Sequence, residues 1–429
     1  MRAKDGLSTL LLTPLGRRRV AWGALYRLWP ILGPVSALWR RTALRRTRFV
    51  AVVGSFGKTT ATRAAMAVLG LPFERHTLWN AGGFVAAEML RTRPGMPFGV
   101  LEVGIAHPGQ MEDFARRIGP DIVVVTSIGS EHLRSFGTIA RTRHEKAQMV
   151  RALPPTGLAI LNGDDENVRW MATQTRARVV TYGFDRSNDV RAEEARLDSE
   201  GSTHFRVHVA GRRFDASIHL VGKHMVYPVL AAIALAREAG ATIEDALFRL
   251  RNLSAAPERL EPLRTPSGSL ILLDSKKGAI ETIDTGLDVL RSIPDRRRLA
   301  VLGDIEEPPS SQGPLYKKLG EDLASIVDEL VFVGGHKAYR SVAAGARSGG
   351  LSSERVIFAG GGVCEATSIL RERLRPEDVV WIKGRSTQHL GRIGLALAGR
   401  HVSCDVAFCP PTPTCGSCPQ LGRPERRSA

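Results

Sequence analysis

Short apolar runs alternate with longer amphipathic stretches along most of this chain. Residues 49–53 form a β-branched run (Val50, Val52, Val53) that reads as a buried parallel strand. A glycine-containing turn follows, and residues 61–69 then carry a helical pattern. Further strands are expected at 99–103, 121–126, 158–161 and 178–182, with helices near 109–117, 139–152 and 166–175. Residues 204–209 and 214–220 alternate apolar and polar positions around Gly211, which predicts an antiparallel hairpin. Two amphipathic helices are expected at 225–239 and 243–250. Beyond Ser254-Ala-Ala-Pro-Glu258, apolar runs at 270–273, 299–302, 330–333, 356–358 and 379–382 alternate with helical segments. The pattern predicts an α/β chain: a central P-loop-type parallel-sheet ATPase domain, then a smaller doubly wound, Rossmann-like C-terminal domain. The expected divisions are a basic aromatic segment at 1–48, an ATP-binding domain at 49–256, a C-terminal domain at 257–400 and a Cys-rich tail at 401–429.

The turn after the first strand reads Gly54-Ser55-Phe56-Gly57-Lys58-Thr59-Thr60. Backbone N–H groups at a glycine turn, followed by a helix N-terminus, make an anion site. Lys58 would reach the β- and γ-phosphates of a nucleotide, and the Thr59 hydroxyl would hold Mg²⁺. The strict phosphate-loop motif wants glycine at position 52, where this chain has valine. Downstream, Glu102 ends the 99–103 strand, His132 follows the 121–126 strand, and Lys146 lies on the next helix. Beside a phosphate loop, that carboxylate and imidazole suit a second Mg²⁺ bridging the γ-phosphate and an acceptor oxygen. Taken singly, Glu102 reads as a paired strand-end carboxylate and His132 as a capping or core histidine.

Composition changes the picture at the two ends. The 429 residues carry a net charge of +17, and eleven of the 60 Lys/Arg but only one of the 43 acids (Asp5) fall in residues 1–48. That segment also holds Trp22, Tyr26, Trp29 and Trp39, while Arg27, Pro30 and Pro34 interrupt it as a transmembrane helix. It reads either as an interfacial helix on an anionic membrane surface or as a helical hairpin packed on the domain. No nucleic-acid-binding motif accompanies the charge, so no nucleic acid partner is expected. Four cysteines, Cys404, Cys409, Cys415 and Cys418, crowd the tail. Their thiolates suit tetrahedral Zn²⁺ or an Fe–S cluster; the alternative is a reduced tail without metal. Cys364 stands alone and is expected in the core.

The order of motifs resembles the Mur ligase family, closest to the type that adds D-alanyl-D-alanine to a UDP-linked muramoyl tripeptide. The resemblance rests on Gly54–Thr60, Leu101-Glu-Val-Gly104, Ile128-Gly-Ser-Glu-His-Leu133 with Phe136-Gly137, Leu161-Asn-Gly-Asp-Asp165 and Gly222-Lys-His224. It continues through Glu258-Arg-Leu-Glu261, Asp274-Ser275, Val301-Leu-Gly-Asp304 and Asp378-Val-Val-Trp-Ile-Lys-Gly384. It implies ATP- and Mg²⁺-dependent amide formation through an acyl phosphate. Carried over by position, Gly54, Ser55, Gly57, Lys58, Thr59 and Thr60 cradle ATP. Glu102 and His132 hold the second Mg²⁺, and Lys146 falls where the family has a carbamylated lysine. His224 lies near the nucleotide, Arg259 reaches the phosphates from the hinge, and Asp274 lies near the transferring phosphoryl group.

The sequence also departs from the family. Only some 48 residues precede the phosphate loop, too few for the usual UDP-gripping domain. The His-Asn-x-x-Asn run appears as His224-Met-Val-Tyr-Pro228, without either amide. Asp274-Ser275 is followed by Lys276-Lys277, which would favour an acidic amine or contact ATP phosphates. Ser127 replaces the usual Asn before Ile128-Gly129. These changes lead us to expect a working ligase with a non-standard substrate, a small or lipid-linked carboxylate precursor joined to an amino acid or short peptide. The standard D-alanyl-D-alanine reaction and a catalytically weak partner of another ligase are the alternatives. The expected location is cytoplasmic, on the inner membrane face if residues 1–48 bind it.

Overall fold

The computed structural model describes residues 14–72, 80, 82–130, 133–198, 200–306, 308, 311–404 and 414–422. They divide into two compact units, one from residues 16–196 and 202–254, the other mainly from residue 255 onward with residues 197–201.

The first unit opens with two helices, α1 (Pro14–Arg27) and α2 (Trp29–Thr42). Its sheet has eight strands: β1 (Arg48–Val53), β2 (Phe98–Glu102), β3 (Ile122–Val125), β4 (Leu158–Asn162), β5 (Arg178–Gly183), β6 (Val190–Leu197), β7 (Thr203–Val209) and β8 (Arg212–Ile218). Their order is β2-β1-β3-β4-β5-β6-β7-β8, parallel from β2 through β6 and closed by the antiparallel β7–β8 hairpin. β3 and β4 are buried along their whole length, as continuous apolar runs covered on both faces must be. Helices α3 (Lys58–Val68), α4 (Gly83–Arg91), α5 (Gln110–Ile118), α6 (Ile139–Arg151), α7 (Val226–Glu238) and α8 (Ile243–Arg251) complete the unit. The β7–β8 turn places Ala210 and Gly211 at φ 51° and 75°, the left-handed pair that a tight hairpin requires.

Three features differ from the sequence expectation, the first being α4, in a stretch where the pattern marks no element. β6 was not expected, because Arg191, Glu193, Glu194 and Arg196 mask its pattern; only Val190 and Ala192 are fully buried. The helix expected at 166–175 is a short α-helical stretch capped by Asp165, which then tightens into a 3₁₀ turn over Trp170–Gln174.

The second unit holds β9 (Glu261–Arg264), β10 (Leu270–Asp274), β11 (Arg298–Leu302), β12 (Glu329–Phe332), β13 (Val356–Phe358) and β14 (Val379–Lys383). The order β13-β12-β11-β14-β10-β9 is parallel except for β9, an edge strand whose Pro262 the sequence pattern did not mark as extended. Helices α9 (Ile280–Ser292), α10 (Gln312–Ala324), α11 (His336–Ser348), α12 (Val363–Arg373) and α13 (Gly391–Leu397) flank it. Cys364 is exposed on α12, not in the core: the apolar face of that helix is Val363, Ala366 and Leu370.

Helices α10 and α11 meet backbone to backbone. A Cβ at Gly345 would lie 1.8 Å from the Lys317 carbonyl oxygen, whereas one at Gly335 would meet nothing within 4 Å. Gly345→Ala should therefore lower the unfolding free energy by about 1–3 kcal/mol, and Gly335→Ala should change it by less than about 0.5 kcal/mol. Denaturant midpoints measured side by side check this contrast.

Candidate active site

The phosphate loop is held open by the loop after β3. A Cβ at Gly54 would lie 2.0 Å from Thr126 Oγ1, so only glycine fits there, and Gly57 caps α3 at φ 80°. The Ser55 N–H donates to the Ser127 carbonyl at 2.7 Å and the Phe56 N–H to Ser127 Oγ at 3.1 Å. Ser127, in place of the family's Asn, thus ties the loop by both its backbone and its hydroxyl. Thr126 Oγ1 donates to the Phe56 carbonyl at 2.6 Å, and the Gly129 N–H donates to Ser55 Oγ at 2.9 Å. Behind this contact, Asn162 Nδ2 donates to the Thr126 carbonyl and Asp165 accepts the Ile128 N–H, both at 2.8 Å.

Two lysines converge on this loop. Lys58 Nζ donates to the carbonyls of Gly54 (2.7 Å) and Ser55 (2.8 Å). Lys146, from the middle of α6, donates to the same Gly54 carbonyl at 2.6 Å and to Ser55 Oγ at 3.1 Å. Both are buried, Lys146 at 2% exposure. At the end of β2, Glu102 lies against the first turn of α3, its Oε1 accepting from Thr59 Oγ1 at 3.2 Å and from Asn80 Nδ2 at 2.7 Å. Glu102 Oε2 is buried without a hydrogen-bond partner among the described residues. An orphaned carboxylate oxygen beside a threonine hydroxyl is the donor set that a hard cation such as Mg²⁺ takes. Thr60 is buried one residue on. His132 lies outside the described residues. Asn80 was not anticipated; no motif surrounds it, and only the fold brings it to Glu102.

Where the family's two amides would stand, Met225 and Pro228 are buried. His224 is half-buried in the 3₁₀ turn before α7. Tyr227 donates its hydroxyl to Asp164 Oδ2 at 2.9 Å, and its ring meets Phe184 edge-on at 5.1 Å. Burial and the Asp164 charge push the Tyr227 phenol above its ordinary value.

A second cluster belongs to the C-terminal unit. Asp274 and Lys383 end neighbouring parallel strands in register, and they form an ion pair at 2.7 Å with Lys383 Nζ 1% exposed at its side chain. Burial pushes the Asp274 carboxyl up and the Lys383 ammonium down, each opposed by the other's charge. The Arg259 charge acts on both groups and on half-buried Lys276, whose ammonium burial also disfavours. Glu258, at φ 58° and 4% exposure, accepts the Ser275 hydroxyl (3.2 Å) and the Cys415 N–H (3.1 Å). It thus joins the start of the C-terminal unit to the tail.

The described part of the tail shows no assembled zinc centre. Cys415 Sγ lies 3.4 Å from His389 Nδ1, and burial, with the Glu258 charge, pushes its thiol above its ordinary value. Arg392 Nη1 lies 3.5 Å from Cys404 Sγ. Among the described residues no group of three or more His, Cys, Asp or Glu could hold a metal, and Cys409 lies outside them. The spacing of four cysteines could not reveal that His389, Arg392 and Glu258 already engage this segment.

A parallel-sheet domain with a glycine turn at a strand end, two buried lysines and an adjacent carboxylate defines a nucleotide-dependent phosphoryl-transfer protein. Residues 52–236 match the Mur ligase middle domain, and residues 258–386 match the family's C-terminal domain, described as the Mur ligase, glutamate ligase domain. The chain belongs to the Mur ligase family of ATP-dependent, ADP-forming ligases. The UDP-N-acetylmuramoyl-tripeptide–D-alanyl-D-alanine ligase of Escherichia coli is 29% identical over 306 residues, 70% of this chain and 67% of that protein. The Mycobacterium tuberculosis ligase of the same name is 29% identical over 373 residues, 81% of this chain and 72% of that protein. In fold, the chain is similar to MurF from Acinetobacter baumannii, with a TM-score of 0.74 at 23% identity over 86% of this chain and 80% of that one. It is similarly related to the Thermotoga maritima MurF structure in complex with ADP, with a TM-score of 0.74 at 20% identity over 86% and 83%.

The buried ion pair gives a stability test independent of catalysis. Lys383→Met should destabilise by about 3–5 kcal/mol by leaving the Asp274 carboxylate unpaired, and Asp274→Leu/Lys383→Met should recover most of that. Denaturant unfolding of the single and double variants checks the cycle.

Proposed function

We propose that this chain couples ATP hydrolysis to amide formation between a carboxylate-bearing cell-wall or related precursor and an amine. The γ-phosphoryl group moves to a carboxylate oxygen, giving an acyl phosphate and ADP. The amine nitrogen then attacks the carbonyl carbon, phosphate leaves with the C–O bonding pair, and the nitrogen loses a proton. The observation that carries this reading is the convergence of Lys58, Thr59, Glu102 and Lys146 at the Gly54–Thr60 loop.

In this proposal Lys58 and the loop N–H groups bind the phosphates, and Thr59 and Glu102, joined by His132, would hold Mg²⁺. The metal would neutralise charge on the transferring phosphoryl group. Lys146 shares one buried carbonyl with Lys58. Two ammonium groups held this close repel, and carbamylation would turn the Lys146 end into an anion that offsets both Lys58 and a cation. Arg259 and Asp274 take the phosphate and nucleotide roles that the family resemblance implies.

The amine is read as non-standard. Lys276 and Lys277 follow Asp274-Ser275 and favour an amine that carries a carboxylate. The relatives named as D-alanyl-D-alanine ligases support the standard dipeptide as the competing reading. ATP consumption places the reaction in the cytoplasm.

Release of ADP and phosphate with Mg-ATP and bicarbonate, screened against muramoyl-peptide precursors, lipid-linked precursors and pools of amino acids and dipeptides, tests the proposal. Release should depend on one carboxylate and one amine, and Lys58→Ala and Lys146→Ala should each lower it about 100-fold or more. D-Alanyl-D-alanine as the sole productive amine would select the standard reaction. Turnover insensitive to Lys58→Ala, or ATP binding without turnover on any pool, would overturn the ligase reading.

A further inference from the structure

We propose that the α1–α2 segment is a docking surface for an anionic lipid bilayer. Helix α2 has two apolar faces on opposite sides. The inner one, formed by Trp29, Gly33, Ser36 and Ala37, is anchored on the first unit. Trp29 Nε1 donates to Asp113 at 2.8 Å, and the Trp29 ring meets Phe114 edge-on at 4.8 Å. Trp39 Nε1 donates to the Thr92 carbonyl at 3.2 Å, and Arg40 pairs with Asp121 at 2.9 Å. Helix α1 is fixed at its C-terminal end, where a Cβ on Gly83 would lie 1.8 Å from the Leu25 carbonyl oxygen.

The outer face is Ile31, Val35 and Leu38, at 63%, 49% and 64% exposure. Their i, i+4, i+7 spacing puts them on one stripe opposite the anchored side. Val20, Tyr26 and Leu28 are also exposed, so six of the nine exposed large hydrophobics of the described residues lie within nineteen positions. A solvent role for such a concentration is physically costly; scattered apolar side chains need no partner, but a contiguous stripe does.

Charge identifies the partner. Arg17, Arg27, Arg41, Arg45 and Arg46 are exposed on or just beyond the two helices, and residues 14–48 contain no Asp or Glu. A second copy of this chain would bring two rims of the same sign together, which disfavours a symmetric dimer. A one-signed basic rim around an apolar stripe fits lipid headgroups and acyl chains. Each helix has 14 residues, a length of about 21 Å, short of the roughly 30 Å hydrocarbon core. Among the described residues no helix is long and apolar enough to cross a membrane. The α1–α2 segment would therefore lie in the interface plane, with the anchored inner face of α2 transmitting its orientation to the sheet.

Flotation of the full chain with phosphatidylcholine vesicles, with and without phosphatidylglycerol, tests this without ATP or substrate. The protein should float with the phosphatidylglycerol vesicles and remain behind with the neutral ones. Ile31→Ser/Leu38→Ser and, separately, Arg27→Gln/Arg41→Gln should each lower the bound fraction about tenfold. Phe248→Ser, at a 73% exposed site on α8, should leave it unchanged. Unchanged thermal melting of each variant establishes that the fold is retained. Equal flotation with both vesicle types, none with either, or full binding by Ile31→Ser/Leu38→Ser would overturn the proposal. So would self-association of the wild type in sedimentation that the same double variant abolishes, since that would make the face a protein interface.

Discussion

The carbonyl oxygen of Gly54 accepts hydrogen bonds from both Lys58 and Lys146, and much of the first unit's architecture serves to bring those ammonium groups there. One arrives from the helix that starts at the loop, the other from α6 across the sheet. The loop can receive both only because Gly54 has no Cβ to meet Thr126 and because Ser127 holds the Ser55 and Phe56 N–H groups. Glu102 then stands beside the first turn of α3 with one carboxylate oxygen bonded and one left over. The local balance of two buried cations and one incompletely satisfied anion suits a site that admits a polyphosphate and a hard metal ion.

The second unit applies a related device. Parallel register sets Asp274 opposite Lys383 at the ends of adjacent strands, so the ion pair is a consequence of strand alignment. Glu258 is the other fixed point, binding Ser275 through one oxygen and the Cys415 backbone through the other. Cys415 packs with Leu395 and Leu421 in a small apolar cluster, so the tail is held by packing and hydrogen bonds.

The parallel cores were legible because their burial is written into the sequence. Val50 to Val53, Ile122 to Val125 and Leu158 to Leu161 are unbroken apolar runs, and only a strand covered on both faces calls for them. The loop was legible because glycine and lysine spacing encodes backbone geometry directly. What stayed hidden depends on tertiary neighbours. β6 carries four charged residues and buries only Val190 and Ala192. Asn80 has no local signature, yet it orients Glu102. The cysteine spacing carries only local thiol chemistry, whereas the His389 and Arg392 partners come from elsewhere in the chain. Cys364 sits one position from a buried valine, and helical phase alone decides which of the two faces solvent.

Calorimetric titration of ATP into the wild type and Glu102→Gln, each with and without Mg²⁺, tests the central claim most directly. If the loop and Glu102 form one metal–nucleotide site, the wild type should bind ATP at least about tenfold more tightly with Mg²⁺, and Glu102→Gln should lose most of that difference. Affinity that ignores both the metal and the substitution would contradict the account.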